Sequence, residues 1–465
     1  MSEILVATHT GEPRALSSSI IEKLRSSLLG DVVTPDDGSY EAARRVWNGH
    51  IDRRPSVIVR CRGDVDVRQA VAFAAENQLL VSVRGGGHSA PGYGTNDGGL
   101  VIDLSPLKGI RVDPAARTAR AQSGVLWGEF DRETQAFGLA TTGGTVSNTG
   151  LAGLTLGGGL GWLMGKHGLT VDNLLSADVV TADGAMHTVD ADRNPDLFWA
   201  LRGGGGNFGV VTSFEYQLHP VDTVLGGLVV YGLDQARDVL RFYRDFCPTL
   251  PDEAEAYAGL LTDPQAGVPV VALVLGYNGP IAEGERVLAP ARSFGRPLAD
   301  VVGPVPYGVR QTFLDEPNAH HGLHRYWRSA FTEQISDELI DIATDSAGAF
   351  SSPMSAVLFF YMHGVATRVP ETETAFSARR PQWDFDVIGQ WESAGPDVHT
   401  NWVRSVWDRC EPHLQGSAYI NHLADDDKPE KVRASYGANL GRLRNVKAKY
   451  DPANLFRLNP NIRPA

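Results

Sequence analysis

The stretch Val81-Ser-Val-Arg-Gly-Gly-Gly-His88-Ser-Ala-Pro-Gly-Tyr-Gly94 decides how the chain is interpreted. An apolar strand runs directly into three glycines at 85–87, which are followed by a single histidine, His88. Consecutive glycines let the backbone approach a ligand closely, and their N–H groups can form a concave anion site. Arg84 adds positive charge beside them. The stretch therefore predicts a phosphate-binding loop with His88 next to it.

Two glycine patterns match dinucleotide-binding fingerprints but lie in the wrong context. Residues 85–90 fit G-x-G-x-x-A, yet this fingerprint has to open a helix whose N-terminus meets the pyrophosphate. Pro91-Gly92 follows at once and turn-forming residues continue to residue 99, so no helix is predicted there. The G-x-G-x-x-G at 204–209 precedes residues 210–218, which have strand character. Neither pattern therefore supports a Rossmann fold.

The composition is that of an ordinary globular protein. Its 465 residues, 42% of them hydrophobic, suffice for two to three domains. A net charge of −13 argues against a nucleic-acid partner. Without a signal peptide or a long apolar run, we expect a cytoplasmic protein with no membrane partner. Three distant cysteines, Cys61, Cys247 and Cys410, are predicted to be core residues, and no metal site is predicted.

Hydrophobic periodicity divides the chain into two parts. The first contains a β-α-β unit with strands at 57–61 and 79–84 around a helix at 66–77, and later a hairpin at 179–189. From about residue 222 strands alternate with helices, which predicts a second, α+β part; the strands are 226–232, 256–262 and 269–276, and the helices are 234–246, 283–292 and 335–345. The apolar strand at 357–364 is expected to pack on one face and to line a substrate cavity with the other.

Glycine is densest between residues 141 and 161. So much glycine costs conformational entropy on folding, which proteins tolerate where the backbone touches a ligand or another backbone. We therefore predict that this segment forms a second wall of the cofactor cleft. A tightly packed loop without a ligand is the alternative.

Four motifs in order carry a resemblance to a known family: Arg84–Ser89, Gly157–Asn173, Leu197–Val211 and Tyr450–Arg457. Together they resemble the berberine-bridge-enzyme-like branch of the vanillyl-alcohol-oxidase flavoproteins, from about residue 35 to the C-terminus. The resemblance implies an α+β fold: a two-part PCMH-type FAD-binding domain plus a substrate domain with an antiparallel sheet flanked by helices. The boundaries expected from it are 1–221 for the FAD-binding domain, 222–417 for the substrate domain and 418–465 for a segment that returns to the first.

The resemblance also implies that FAD is attached covalently through His88. In the family this histidine bonds through a ring nitrogen to the flavin 8α-carbon. Many members add a second link through a cysteine near Gly144-Thr145, where this chain has Val146. A single link is therefore expected, as in some bacterial members, and it favours a compact substrate. The residues expected at the FAD are Arg84, Gly85, Gly86, Gly87, His88, Ser89, Gly92, Tyr93, Gly144, Thr145, Val146, Asn148, Thr149, Gly153, Leu154, Gly158, Gly159, Gly161, Trp162, Gly209, Val210, Val211, Tyr419, Asn421, Asn459 and Asn461.

By the same resemblance, the catalytic candidates are Tyr419, Asn421 and Thr149. Tyr419 and Asn421 are expected on a strand that delivers side chains to the flavin, with His422 on its opposite face. Tyr419 is the first candidate for proton acceptor or substrate anchor, although a phenol with a pKa of about 10 is a poor base unless its surroundings lower that value. The alternative is a tyrosine whose hydroxyl only bonds the backbone. Thr149, with Leu154, is expected to control oxygen access.

These expectations describe an FAD-dependent oxidase. It would take a hydride from a small alcohol, amine or secondary-metabolite ring compound, and O2 would reoxidise the flavin to give hydrogen peroxide. Three alternatives stay open: an oxygenase or cyclase that uses a flavin–oxygen adduct, a dehydrogenase with another acceptor, and a flavoprotein that only binds a ligand. The sequence leaves the substrate, its stereochemistry and the oligomeric state open, with a homodimer as one option.

Overall fold

A computed structural model of the chain describes residues 3–392 and 396–465. The strands are β1 (Glu3–Val6), β2 (Arg14–Ser17), β3 (Asp31–Val33), β4 (Val57–Arg60), β5 (Val81–Arg84), β6 (Leu100–Asp103), β7 (Ile110–Asp113), β8 (Thr118–Gln122), β9 (Leu139–Ala140), β10 (Leu174–Val180), β11 (Met186–Val189), β12 (Val210–Gln217), β13 (His219–Pro220), β14 (Thr223–Gly232), β15 (Ala254–Thr262), β16 (Pro269–Tyr277), β17 (Ala299–Asp300), β18 (Gly303–Pro306), β19 (His324–Thr332), β20 (Ala356–Met362) and β21 (Gln382–Trp391).

The α-helices are α1 (Ser18–Ser26), α2 (Tyr40–Arg44), α3 (Asp64–Glu76), α4 (Trp127–Gln135), α5 (Leu151–Gly157), α6 (Met164–His167), α7 (Pro195–Leu201), α8 (Ala236–Phe246), α9 (Ile281–Arg292), α10 (Tyr307–Arg310), α11 (Asp315–Asn318), α12 (Asp337–Ala347), α13 (Val365–Arg368), α14 (Pro396–Cys410), α15 (Pro429–Tyr436) and α16 (Leu440–Tyr450). Within the described residues, none of these helices is long and apolar enough to cross a bilayer.

A four-stranded sheet of order β3-β4-β6-β5 presents the glycine loop. Strands β4 and β5 pair in parallel with β6, and α3 connects β4 to β5, so the predicted β-α-β unit is confirmed. The runs Val57-Ile-Val and Leu100-Val-Ile are buried on both faces, as expected for parallel strands. Strand β5 ends at Arg84, and the chain from there to β6 is irregular, as predicted. The loop therefore leaves from the end of a buried strand.

A five-stranded antiparallel sheet of order β11-β10-β12-β8-β7 packs beside the first. Its β10–β11 hairpin was predicted, and Gly184 in the turn has a φ of 77°, a conformation that favours glycine. Strand β12 begins at Val210, directly after the second glycine pattern. A strand rather than a helix therefore follows that pattern, as the sequence predicts.

The middle of the chain forms a large antiparallel sheet of order β17-β14-β16-β15-β20-β21-β19, with β18 also paired to β14. Helices α8, α9, α12 and α14 cover one face and share its hydrophobic core. This is the predicted antiparallel sheet flanked by helices. In β20, Val357 and Phe359 are buried in that core, while the alternate residues Leu358 and Phe360 line a cavity on the other face. Cys61, Cys247 and Cys410 are all buried free thiols, as predicted.

One local prediction near the C-terminus is wrong. Tyr419 and Asn421 do not lie on a strand, because Ile420–His422 forms a 3-10 turn that begins after Tyr419. The turn is held by local bonds: the His422 N–H donates to the Tyr419 carbonyl, and Asn421 Nδ2 donates to the Tyr419 hydroxyl. The short apolar run alone does not distinguish a turn from a strand. His422 therefore faces the same cavity as Tyr419 and not the opposite side.

The C-terminal segment packs back onto the first two sheets through a buried ion pair. Lys447 on α16 and Asp451 have fully buried side chains, and Lys447 Nζ lies 2.6 Å from Asp451 Oδ2. Lys447 also donates to the carbonyls of Asn207 and Phe456, and Asp451 accepts from the N–H groups of Leu455 and Phe456. The pair thus joins the tail to the loop before β12. The domain boundaries at residues 221 and 417 stay a prediction.

We expect Lys447→Met to lower the free energy of unfolding by about 3–5 kcal/mol, because it leaves Asp451 as an unpaired buried charge. Lys449→Met is the matched control on the same helix. Its ammonium pairs with Asp196 but is 59% exposed, so we expect a change below about 1 kcal/mol. Chemical denaturation of both variants measures the difference. Equal destabilisation by the two substitutions would contradict this role of the buried pair.

Candidate active site

A single cavity lies between the glycine loops and the large sheet and collects most of the residues predicted at the cofactor. The predicted residues that line it are Arg84, Gly85, Gly86, Gly87, His88, Ser89, Tyr93, Gly144, Thr145, Val146, Thr149, Gly153, Leu154, Gly161, Gly209, Val210, Val211, Tyr419, Asn421 and Asn459. The sheet contributes Tyr257, Leu358, Phe360, Asp384, Asp386 and Ile388 from the opposite side. Glycine-rich loops therefore form one side of the cavity, and side chains of the large sheet form the other.

Six predicted residues do not line this cavity: Gly92, Asn148, Gly158, Gly159, Trp162 and Asn461. Four of them contact residues that do: the Gly92 N–H donates to the Ser89 carbonyl, and Asn148, Gly159 and Trp162 make the contacts described next. Asn148 lies beside His88, and the Gly159 N–H donates to the Tyr419 hydroxyl. Trp162 is buried behind the wall, where it stacks on Tyr257 with ring centroids 4.9 Å apart. These residues support the wall rather than form its surface.

His88 is held as a neutral imidazole with a defined tautomer. Asn148 Nδ2 donates to the Ala319 carbonyl (2.5 Å), so its Oδ1 faces His88 Nε2 at 2.9 Å and accepts a hydrogen bond from the Nε2–H. The lone pair of His88 is therefore on Nδ1. Burial lowers the pKa of His88 to about 3, so the ring is uncharged at neutral pH. A neutral imidazole with a free lone pair is the nucleophilic form of the side chain.

Arg84 lines the cavity, but its charge is already paired. Its Nη2 lies 2.8 Å from Asp103 Oδ2 and its Nε lies 3.2 Å from Asp103 Oδ1, at the end of the neighbouring strand β6. A bidentate pair of this kind fixes the guanidinium in place. Its charge is therefore already used within the protein, which leaves the backbone N–H groups of residues 85–87 as the predicted donors to an anion.

The cavity surface fits a large polar ligand such as FAD in two respects. A Cβ atom added at Gly153 or at Gly206 would meet nothing within 4 Å, so both glycines leave open space along the cavity where a side chain would project. Asn459 Oδ1 is buried and has no hydrogen-bond partner among the described residues, although Asn459 lines the cavity. A buried carbonyl oxygen without a partner is rare and suits a donor group of a ligand.

A cluster that sequence reasoning missed lies on the sheet side of the cavity. His422 Nδ1 is 2.8 Å from Asp384 Oδ2 and 3.4 Å from Asp386 Oδ1, and Ser329 Oγ donates to Asp384 Oδ1. Both aspartates are buried on β21, two residues apart, so they point to the same face. The available signal was two acidic residues at this spacing within residues 383–388, which are otherwise apolar. Their partner His422 lies on a turn far along the chain.

The charged groups of this cluster change one another's pKa values. Burial, and then the neighbouring Asp386 carboxylate, raise the pKa of Asp384, against the opposite effect of His422. Burial alone would lower the pKa of His422, but Asp386 and Asp384 raise it well above its ordinary value. His422 is therefore a cation held between two carboxylates, one of which has an increased affinity for protons. A carboxylate with an increased affinity for protons is suited to accept a proton from a bound group.

Tyr419 is less suited to accept a proton. Its hydroxyl accepts hydrogen bonds from the Gly159 N–H (3.0 Å) and from Asn421 Nδ2 (2.8 Å). Burial raises the pKa of Tyr419 to about 12, so the phenol stays protonated at neutral pH. Tyr419 and Asn421 instead form a rigid pair at the cavity wall, in edge contact with His422 at 4.9 Å between ring centroids.

Comparisons with known proteins agree with this geometry. The family model described as "FAD binding domain" matches residues 55–190, and "Berberine and berberine like" matches residues 418–463. An FAD-linked oxidoreductase of Dictyostelium discoideum is 32% identical, covering 96% of this chain and 98% of its own. (R)-6-hydroxynicotine oxidase of Paenarthrobacter nicotinovorans is 31% identical, covering 94% of this chain and 97% of its own.

A solved structure shows the same arrangement of the whole chain. The crystal structure of 6-hydroxy-D-nicotine oxidase from Arthrobacter nicotinovorans superposes with a TM-score of 0.86 at 30% identity, covering 97% of this chain and all of the other. Similarity therefore extends over both the FAD-binding part and the large sheet. The chain belongs to the berberine-bridge-enzyme-like family of FAD-linked oxidoreductases.

Proposed function

We propose that the protein is an oxidase whose FAD is bonded covalently to His88 and that it acts on a small alcohol, amine or related ring compound. The flavin, when bound, supplies the hydride acceptor. The observation that carries the proposal is the cavity itself, in which a neutral histidine at the glycine loop and an acidic cluster on the sheet face one space. The glycine loops and the C-terminal segment would hold the cofactor, and the large antiparallel sheet would hold the substrate.

The covalent link is supported by the state of His88. A lone pair on Nδ1 and a low pKa supply the form that can bond to carbon, and Trp47 and Asn148 fix the ring from two sides. Val146 stands where a cysteine would make a second link. Among the described residues, no cysteine lines the cavity. A single attachment point is therefore proposed.

The substrate proton is proposed to pass to the Asp384–His422–Asp386 cluster. An alcohol or amine has to lose its O–H or N–H proton when its carbon gives up a hydride, and a buried carboxylate with a raised pKa is a suitable acceptor. The imidazolium of His422 would stabilise and orient both carboxylates. Tyr419 and Asn421 would then position the substrate, since Tyr419 is too weak a base. This reassigns the role first expected for Tyr419.

Reoxidation by O2 is proposed on the basis of the cavity wall next to Val146. Thr149 and Leu154 both line the cavity, and the segment is fixed because the Thr149 carbonyl accepts from the Trp127 N–H. We propose that these two side chains shape the path by which O2 reaches the flavin. If O2 is the acceptor, peroxide appears in a one-to-one ratio with oxidised substrate. A flavin–oxygen adduct would instead give oxygenated product with little peroxide, and a dehydrogenase would reoxidise slowly in air.

We expect His88→Ala to retain the fold but to release its flavin when the protein is denatured in acid. The wild type should keep flavin fluorescence on the denatured polypeptide in a gel, because acid does not break a carbon–nitrogen bond of this kind. His324→Ala is a suitable control, since His324 lies outside the cavity lining. Fluorescence that stays on the His88→Ala polypeptide would place the link elsewhere.

We expect Asp384→Asn to slow anaerobic flavin reduction by a substrate about 10²- to 10⁴-fold, the usual contribution of a general base. In the wild type the rate should fall as the pH decreases through an apparent pKa above that of an ordinary aspartate, because the cluster must be deprotonated to accept a proton. That acid limb should disappear in Asp384→Asn. Stopped-flow reduction across a pH series measures both effects.

Tyr419→Phe is the comparison variant for this prediction. It removes a hydroxyl that borders the same cavity but, on this account, does not accept the proton. It should change substrate affinity more than the pH profile. The contrary result would be a fall in rate at low pH that disappears in Tyr419→Phe and persists in Asp384→Asn. Tyr419 would then be the proton acceptor.

A further inference from the structure

Arg325 on β19 is a buried cation without an ionic partner. Only 1% of its surface is exposed. Nε donates to Gln390 Oε1 (2.7 Å), and the two Nη atoms donate to main-chain carbonyls, those of Trp47, Leu323, Asn318 and His320. In the part of the chain that the structure describes, no carboxylate pairs with it. All five N–H donors of the guanidinium therefore have acceptors, while no negative charge among the described residues balances its positive charge.

This charge is stacked against the site of flavin attachment. The guanidinium carbon of Arg325 lies 3.6 Å from the centre of the Trp47 ring. The same indole stacks on His88, with ring centroids 3.9 Å apart and planes 20° apart. Because two groups cannot share one position over a ring, the guanidinium and the imidazole occupy opposite faces. Arg325, Trp47 and His88 thus form a three-layer stack.

Other buried arginines in the described chain differ from Arg325. Arg84 pairs with Asp103 at 2.8 Å, and Arg379 pairs with Asp172 at 2.7 Å. Arg310, which also lies over a tryptophan, has the carboxyl of Glu255 3.8 Å away, although burial raises the pKa of Glu255 to about 8. An uncompensated buried charge is unfavourable for stability, since burial removes its hydration. Its presence beside a cofactor position points to a role in the chemistry of the site.

We propose that Arg325 is a positioning residue that raises the reduction potential of the FAD held at His88. This inference rests on the proposed function. When the substrate transfers its hydride, the oxidised flavin gains two electrons and one proton, so its net charge becomes more negative by one unit. A positive charge fixed in a region without water stabilises the more negative, reduced form. The Trp47 indole fills the space between the charge and the ring of His88.

Gln390 offers a way to cancel the charge without removing the arginine. Gln390 is buried on β21 and accepts from Arg325 Nε. A glutamate side chain has nearly the same shape as glutamine, so Gln390→Glu would place a carboxylate beside Arg325 Nε. We expect the midpoint potential of the bound flavin to shift to more negative values in Gln390→Glu and in Arg325→Met. Arg325→Lys keeps the charge, and its potential should stay closer to that of the wild type.

The measurement is a spectroelectrochemical titration of the purified holoproteins, with Arg310→Met as the matched control. That control also removes a buried arginine stacked on a tryptophan, but one away from His88, so its potential should be unchanged. An unshifted potential in Gln390→Glu would overturn the inference, and so would an equal shift in Arg310→Met. If Arg325→Met fails to fold, Gln390→Glu decides alone. A wild type without any flavin would instead refute the proposed function.

Discussion

The site depends on the packing that fixes the His88 imidazole between Trp47 and Asn148. Both neighbours are held in turn by residues 315–325, a segment of the middle part of the chain. Trp47 Nε1 donates to the Asn318 carbonyl and Asn148 Nδ2 donates to the Ala319 carbonyl. The orientation of the histidine is thus determined by contacts between distant parts of the sequence. The neutral state of the half-buried His88 and its stack with Trp47 and Arg325 both follow from this packing.

Glycine makes the same region possible. A Cβ atom at Gly86 would lie 2.5 Å from the Gly150 Cα, and one at Gly150 would lie 2.5 Å from the Gly86 N, so the two loops touch backbone to backbone. Larger residues at these positions would separate the walls. Elsewhere on the same loops, Gly153 and Gly206 leave open space along the cavity. The high glycine content therefore serves two purposes, close packing of the walls and room for a ligand.

Local sequence patterns were sufficient to predict the β-α-β unit and the β10–β11 hairpin, because each depends on residues near one another in the chain. They also predicted that strands and helices alternate after residue 222, whereas the antiparallel sheet in that part was expected only from the family resemblance. The glycine loop and His88 were found from a local pattern as well. The Asp384–His422–Asp386 cluster was not, since it joins β21 to a turn that lacks strand or helix periodicity. The turn also explains the wrong orientation predicted for His422. Nothing local marks Trp47 or Arg325, whose importance arises only from their stacking on His88.

The central claim is that His88 holds the flavin, and peptide mapping of the wild-type protein tests it most directly. Trypsin releases residues 85–108 as one peptide, in which His88 is the only histidine. We predict that after denaturation and digestion this peptide carries the added mass of the flavin, and that fragmentation places the modification on His88. An unmodified peptide 85–108, with the flavin free in solution or on another peptide, would contradict the account.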